Sequence, residues 1–132
     1  MEQFWFPLRN VDQCEHVLVD LIGFLEADGN YTRVYYINEE GKLVNSLQSG
    51  WLKNFEGLLD HGFIRIRRDI IINRSYVHKH MANRTVVLTT GHSFTVPKPK
   101  WSAIKAQLSR QLVIPFGKKG DSSKTKGDSS SK

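Results

Sequence analysis

The 132-residue sequence predicts a mainly β fold, an antiparallel domain with about ten short strands and two short helices. Three observations predict it. Short apolar runs rich in β-branched and aromatic residues recur along residues 4–96. Tight-turn residues separate them, as at Asp28-Gly29-Asn30, Glu40-Gly41, Asn73-Arg74-Ser75, Ala82-Asn83-Arg84 and Gly91-His92. Only two segments space their apolar residues as a helix does.

In chain order, the first strands are Phe4–Leu8, His16–Val19, Ile22–Ala27, Tyr31–Ile37 and Leu43–Leu47. A helix follows, with Trp51, Leu52, Phe55, Leu58 and Leu59 on one stripe. Ser49 is placed to cap its start and Gly62 to end it. Gly57 inside it costs up to about 1 kcal/mol relative to alanine, so packing must hold this helix. The remaining strands are Phe63–Ile66, Ile70–Ile72, Tyr76–His80, Thr85–Thr89 and Ser93–Val96. A second helix spans about Pro99 to Leu112, with Trp101, Ile104, Leu108 and Leu112 on one face and Pro99 in its first turn. Both apolar stripes read as core packing rather than cofactor contacts.

Residues 62–73, GFIRIRRDIIIN, are the most informative stretch. Arg65, Arg67 and Arg68 interrupt an apolar, β-branched run. In an isolated strand Phe63, Arg65 and Arg67 share one face, and Ile64, Ile66 and Arg68 the other. Continuing the strand through Arg68 would bury a charge among isoleucines, which is costly without a partner. The strand is therefore expected to end near Arg67, with Arg67-Arg68-Asp69 as a tight exposed link to Ile70-Ile71-Ile72. Arginines on such a link suit bidentate contacts to phosphate or guanine. Solvated or salt-bridged arginines at a sheet edge explain the same pattern.

Charge is segregated along the chain. Residues 1–60 carry a net −6, residues 61–116 a net +9 and residues 117–132 a net +3, within a total of +6. That asymmetry points to one face for an anionic partner, unless the two halves interleave in space. The last sixteen residues, GKKGDSSKTKGDSSSK, repeat KGDSS and contain no apolar side chain. They are expected to form a disordered basic tail, 117–132, after a folded domain spanning 1–116. Cys14 is the only cysteine, so no internal disulfide can form, and a reducing, cytoplasmic location is expected. No apolar run reaches membrane-spanning length, and the first residues lack a signal-peptide pattern.

Enzyme and metal chemistry find little support. His78 and His80 lie two apart in a strand, with no cysteine or carboxylate near in sequence to complete a metal site. Glu26 and Asp28 flank a turn and read as solvated rather than as an acid/base pair. Gly29 and Gly41 stand alone, so no phosphate-binding loop is present. No cofactor is expected.

Three segments resemble the LytTR-type DNA-binding domain of bacterial transcription regulators, in the right order. Ile22–Tyr31 (IGFLEADGNY) resembles the family's "I-x-y-i-e-a-x-g-n-Y". Leu52–Asn73 resembles its helix followed by "F-x-R-x-H-R-S-x-x-V-N". Gly91–Trp101 (GHSFTVPKPKW) resembles its "G-x-x-i-p-v-S-R-r-y". The resemblance covers most of residues 10–112. It implies that loops, not a recognition helix, enter successive major grooves of double-stranded DNA. On this sequence it implies DNA contacts by Asn30 and Tyr31 from the first loop. The second loop offers Arg67 and Arg68, and the third Lys98, with Lys100 beside it. Arg65 and Asn73 occupy motif positions too, as contacts or as supports of the loop. Arg67 replaces the motif histidine and Asp69 the motif serine, while Lys98 stands between two prolines where arginine is usual. Asp69 is expected to hold Arg67 or Arg68, or to accept from a cytosine amino group. With about ten residues before the match, a stand-alone domain is implied, and a second copy on an adjacent half-site would raise affinity. The competing reading is a protein-interaction module that docks on or sequesters another regulator, favoured by Asp69 and the proline-flanked Lys98.

Overall fold

Ile70, Ile71, Ile72 and Asn73 are all buried, because their strand lies inside a five-stranded antiparallel sheet with both faces covered. The computed structural model describes residues 4–60 and 62–109. The strands are β1 (Trp5–Arg9), β2 (Cys14–Leu18), β3 (Ile22–Asp28), β4 (Tyr31–Ile37), β5 (Leu43–Ser49), β6 (Phe63–Arg67), β7 (Ile70–Asn73), β8 (Val77–His80), β9 (Thr85–Leu88) and β10 (Ser93–Thr95). Helix α1 covers Lys53–Glu56 and helix α2 Lys98–Ser109. All ten expected strands form, within one or two residues of their expected bounds. Among the described residues no helix is long and apolar enough to cross a membrane.

The main sheet runs in the order β5-β4-β3-β7-β6. Alternation along its strands sorts side chains into two cores. Leu25, Val34 and Ile71 face one side and pack with Phe6, Leu8, Val17 and Val19 of the β1-β2 hairpin and with Leu52. Phe24, Ile64, Ile66, Ile70 and Ile72 face the other side. There they meet Val86 and Leu88 of the β8-β9-β10 sheet, Val96, and Ile104 of α2. Fully burying a side chain of this kind contributes about 1.5–3 kcal/mol, so these two layers hold the sheet between them.

The first helix departs from expectation. Ser49 is not a helix cap; it ends β5, paired with Tyr31. Only one helical turn follows, and it has no side-chain cap. Around that α-helical turn run i→i+3 bonds, from Asn54 to Trp51, Phe55 to Leu52, Leu58 to Phe55 and Leu59 to Glu56. Trp51 precedes this single turn and Leu58 follows it, so the expected stripe does not form. Leu52 is buried and Phe55 and Leu59 are half-buried, whereas Trp51 and Leu58 are exposed. Gly62 does not end this helix; it donates its N–H to the Asp60 carboxylate at 2.8 Å, in a turn that leads into β6.

Helix α2 matches its expectation more closely. Pro99 sits in its first turn and Ile104 is buried, flanked by half-buried Trp101 and Leu108. Leu112, the domain boundary near residue 116 and the basic tail lie outside the described residues.

Candidate nucleic-acid interface

The arginine link of the second loop is a two-residue turn, Arg68-Asp69, between β6 and β7. A register shift precedes it: Arg65 pairs with Ile71, but Arg67 pairs with Ile70. Paired residues share a face of the sheet. The bulge therefore sends Arg65 to the side of Ile71 and Arg67 to the side of Ile70. The isolated-strand expectation that the two arginines share a face is corrected by this bulge.

Each arginine then finds different partners. Arg65 donates from Nη1 to Glu56 Oε1 at 3.1 Å and from Nη2 to the carbonyl of Arg68. It braces the turn against α1. Arg67 pairs with Asp69 through two bonds, Nε to Oδ1 at 3.0 Å and Nη2 to Oδ2 at 3.3 Å. Its guanidinium also lies 5.9 Å from the Phe94 ring centroid. Arg68 is exposed at the tip and makes no ion pair among the described residues.

The first loop sits beside the second. Gly29, at φ +63, and Asn30 make the two-residue turn between β3 and β4. The Ala27 N–H, near the end of β3, donates to the Asp69 carbonyl at 2.9 Å, tying that strand to the Arg68-Asp69 turn. Asn30 is exposed, and Tyr31 is 48% exposed, as the turn was expected to project it. Asp28 pairs with Arg33 at 2.9 Å, so that carboxylate is neutralised at the base of the loop.

Asn30, Arg65 and Arg68 line one open groove of about 790 Å³. Its other walls include Trp51, Lys53 and Asp69. Lys53 was not singled out from sequence, and Trp51, read there as core packing, is 53% exposed instead. The exposed indole carries the Lys53 ammonium 5.4 Å from its centroid, and its Nε1 donates to Asn30 Oδ1 at 3.2 Å. Arg65 and Asp69 are already paired, with Glu56 and Arg67, so Lys53 and Arg68 carry the groove's unpaired charge among the described residues. Donors and positive charge dominate the groove, which suits an anionic, acceptor-rich ligand.

The third loop is set apart from this groove. Lys98 and Lys100 are exposed in the first turn of α2, and neither lines the groove. Their link is clamped by Arg84, a non-glycine residue at φ +70. Arg84 Nε donates to the Val96 carbonyl at 3.0 Å, and the Val96 N–H donates to the Arg84 carbonyl at 2.8 Å. Turn residues Ala82-Asn83-Arg84 were legible from sequence, but this clamp was not.

Asn73 is the correction among the candidate contacts. It is 4% exposed. Its Nδ2 donates to the Ile22 carbonyl at 2.9 Å, and its Oδ1 accepts from Ser75 N–H at 3.0 Å and Ser75 Oγ at 2.8 Å. A buried amide so satisfied joins β3 to the turn after β7 and has no reach to a ligand. His78 is exposed, and His80 packs edge-on against Trp101. Among the described residues no three His, Cys, Asp or Glu side chains gather as a metal site.

A sequence model of the LytTr DNA-binding domain matches residues 12–109. In three dimensions the chain is similar to the LytTr DNA-binding domain of a methyl-accepting/DNA response regulator from Bacillus cereus. That likeness has 22% identity and a TM-score of 0.64, and covers 83% of this chain and 100% of the other. At this identity it speaks for the fold. No curated protein sequence matches the chain.

Proposed function

Since this chain belongs to the LytTr DNA-binding domain family, we propose that it binds double-stranded DNA sequence-specifically in transcription regulation, with its loops in the major groove. The observation that carries this reading is the shared groove. The turn that bears Arg68 is tied by a backbone hydrogen bond to β3, the strand that leads into the Asn30 turn, and both turns open onto one donor-rich surface.

Each side chain has a chemical part in the proposal. Arg68, at a turn tip and without an ion pair among the described residues, has the fork that matches guanine O6 and N7, a contact that contributes about 1–3 kcal/mol of discrimination. Asn30 offers an amide beside it, and Tyr31 an exposed ring for apolar contact. Lys53, Lys98 and Lys100 are point charges suited to phosphates, and each phosphate neutralised adds about 0.9 to the salt slope. Arg65 braces the Arg68 turn. Arg67, neutralised by Asp69 and packed near Phe94, contributes more to the shape of the loop than to its charge.

The Arg67–Asp69 pair also supports DNA binding over docking on a protein. Asp69 would repel phosphate as a free carboxylate, but with two hydrogen bonds to Arg67 that repulsion is offset. One small module covers only about 600–1,000 Å² of protein surface on DNA, so a second copy on an adjacent half-site fits the proposal. The protein would act in the cytoplasm.

Selection of bound sequences from a random DNA pool tests the reading. A recurrent motif is expected, repeated if two copies bind, together with a steep salt dependence. Equal, salt-insensitive affinity for all duplexes would sink it and favour the docking module.

A further inference from the structure

We propose that Trp51 is a specificity-determining residue, because its indole sets which end of the Asn30 amide faces the DNA. The inference rests on the DNA-binding reading above and adds a direction to it: the first loop reads hydrogen-bond acceptors.

The chain delivers Trp51 to Asn30 by a built device. Thr32, fully buried in β4, donates its hydroxyl to the Gly50 carbonyl at 3.0 Å. The Gly50 N–H donates to the Asn30 carbonyl at 3.0 Å. Gly50 is thus held on both sides, at φ +120, a conformation that strains any other residue. A Cβ there would also stand 3.4 Å from the Phe55 ring. The chain leaves β5 at this point, and the next residue is Trp51.

The indole Nε1 lies 3.2 Å from Asn30 Oδ1. An indole N–H donates and cannot accept. Only the oxygen end of the amide can meet it, so the Nδ2 end is left to point elsewhere. Without that partner, an exposed asparagine can turn over and present oxygen or nitrogen with similar ease. With it, Asn30 offers two N–H donors beside Lys53, Arg65 and Arg68, which are donors too. In the major groove the matching atoms are purine N7, guanine O6 and thymine O4. The cytosine amino group, a donor, is the mismatch. Trp51 is 53% exposed, so its N–H acts on Asn30 rather than holding the core.

The test uses the full chain and selection from a random DNA pool, followed by binding to single-base variants of the selected duplex. Four proteins are compared: wild type, Trp51→Phe, Asn30→Ala and the double variant. Phenylalanine keeps an aromatic ring and removes the N–H. Trp51→Phe should lower discrimination against cytosine at one base position by about 2- to 12-fold, the worth of one net hydrogen bond. Salt slope and melting temperature should stay unchanged, which a merely structural role would not predict. The double variant should discriminate no worse there than Asn30→Ala alone. Unaltered base preference in Trp51→Phe, or losses that add in the double variant, would overturn the inference while leaving DNA binding in place. A wild type with no sequence preference at all would overturn both.

Discussion

Arg65 and Arg67, two residues apart on β6, leave opposite faces of the sheet. Arg65 pairs across from Ile71 and reaches Glu56 of α1; Arg67 pairs across from Ile70 and lies near Phe94 of β10. The bulge between them gives the β6-β7 turn a brace on each side. Arg68 is left at the tip with its fork unclaimed by any carboxylate among the described residues.

Arg68→Ala should therefore cost sequence preference more than general affinity. Loss of one good base contact is worth about 1–3 kcal/mol of discrimination. Titrations with the selected and a scrambled duplex measure it. Equal losses on both would make Arg68 a phosphate anchor.

Arg65→Ala should act through the turn. It removes the donor to the Arg68 carbonyl and the pair with Glu56. Amide exchange at Arg68 and Asp69 should quicken, and discrimination should fall without adding to the Arg68→Ala loss. Unchanged exchange with a flattened salt slope would mark Arg65 as a direct phosphate contact.

Tyr31→Ala should weaken binding and leave the fold alone. The ring is half exposed, so the expected stability change is within about 0.5 kcal/mol. A large drop in melting temperature would show that the ring packs in the core.

Asn73→Ala should do the reverse. It strips partners from the Ile22 carbonyl and from Ser75, at a cost of about 1–3 kcal/mol. Denaturant melts should record that loss, while the folded fraction keeps its base preference. A changed preference at native stability would restore Asn73 to the interface.

Alkaline pH should destabilise the domain. Burial, then the charge of Asp20, holds the Tyr76 hydroxyl above its ordinary value of 10.0. Burial likewise raises Tyr35 and Tyr36. The neutral forms belong to the folded state, so their contribution is complete below about pH 10 and lost as pH rises through the folded values. Thermal melts across that range should show the decline, and Tyr76→Phe should make it shallower. An identical decline in that variant would assign it to other groups.

Ten strands and both turn-borne loops were legible in the sequence because each is a local pattern. Alternating β-branched and aromatic residues with Gly, Asn and Asp between them leave few other structures open. The Arg67-Arg68-Asp69 link followed from the cost of burying a charge, and it forms where that cost placed it. The first helix was misjudged because only Lys53–Glu56 forms it: Trp51 precedes that turn and Leu58 follows it, so neither joins Leu52 and Phe55 on a stripe. Trp51 and Lys53 were missed as groove residues for the same reason.

By itself, then, the sequence determined the order of the elements, the positions of the turns and the residues they expose. Tertiary structure decided which of those residues act together. Asn73 is buried because β3 and its own strand meet across 51 residues of chain. Arg65 and Arg67 part because β6 slips one residue against β7. Trp51 reaches Asn30 because β4 and β5 bring Thr32 and Gly50 side by side. Each is a contact between segments far apart in the chain, and its energy depends on register and packing that no local window of residues contains.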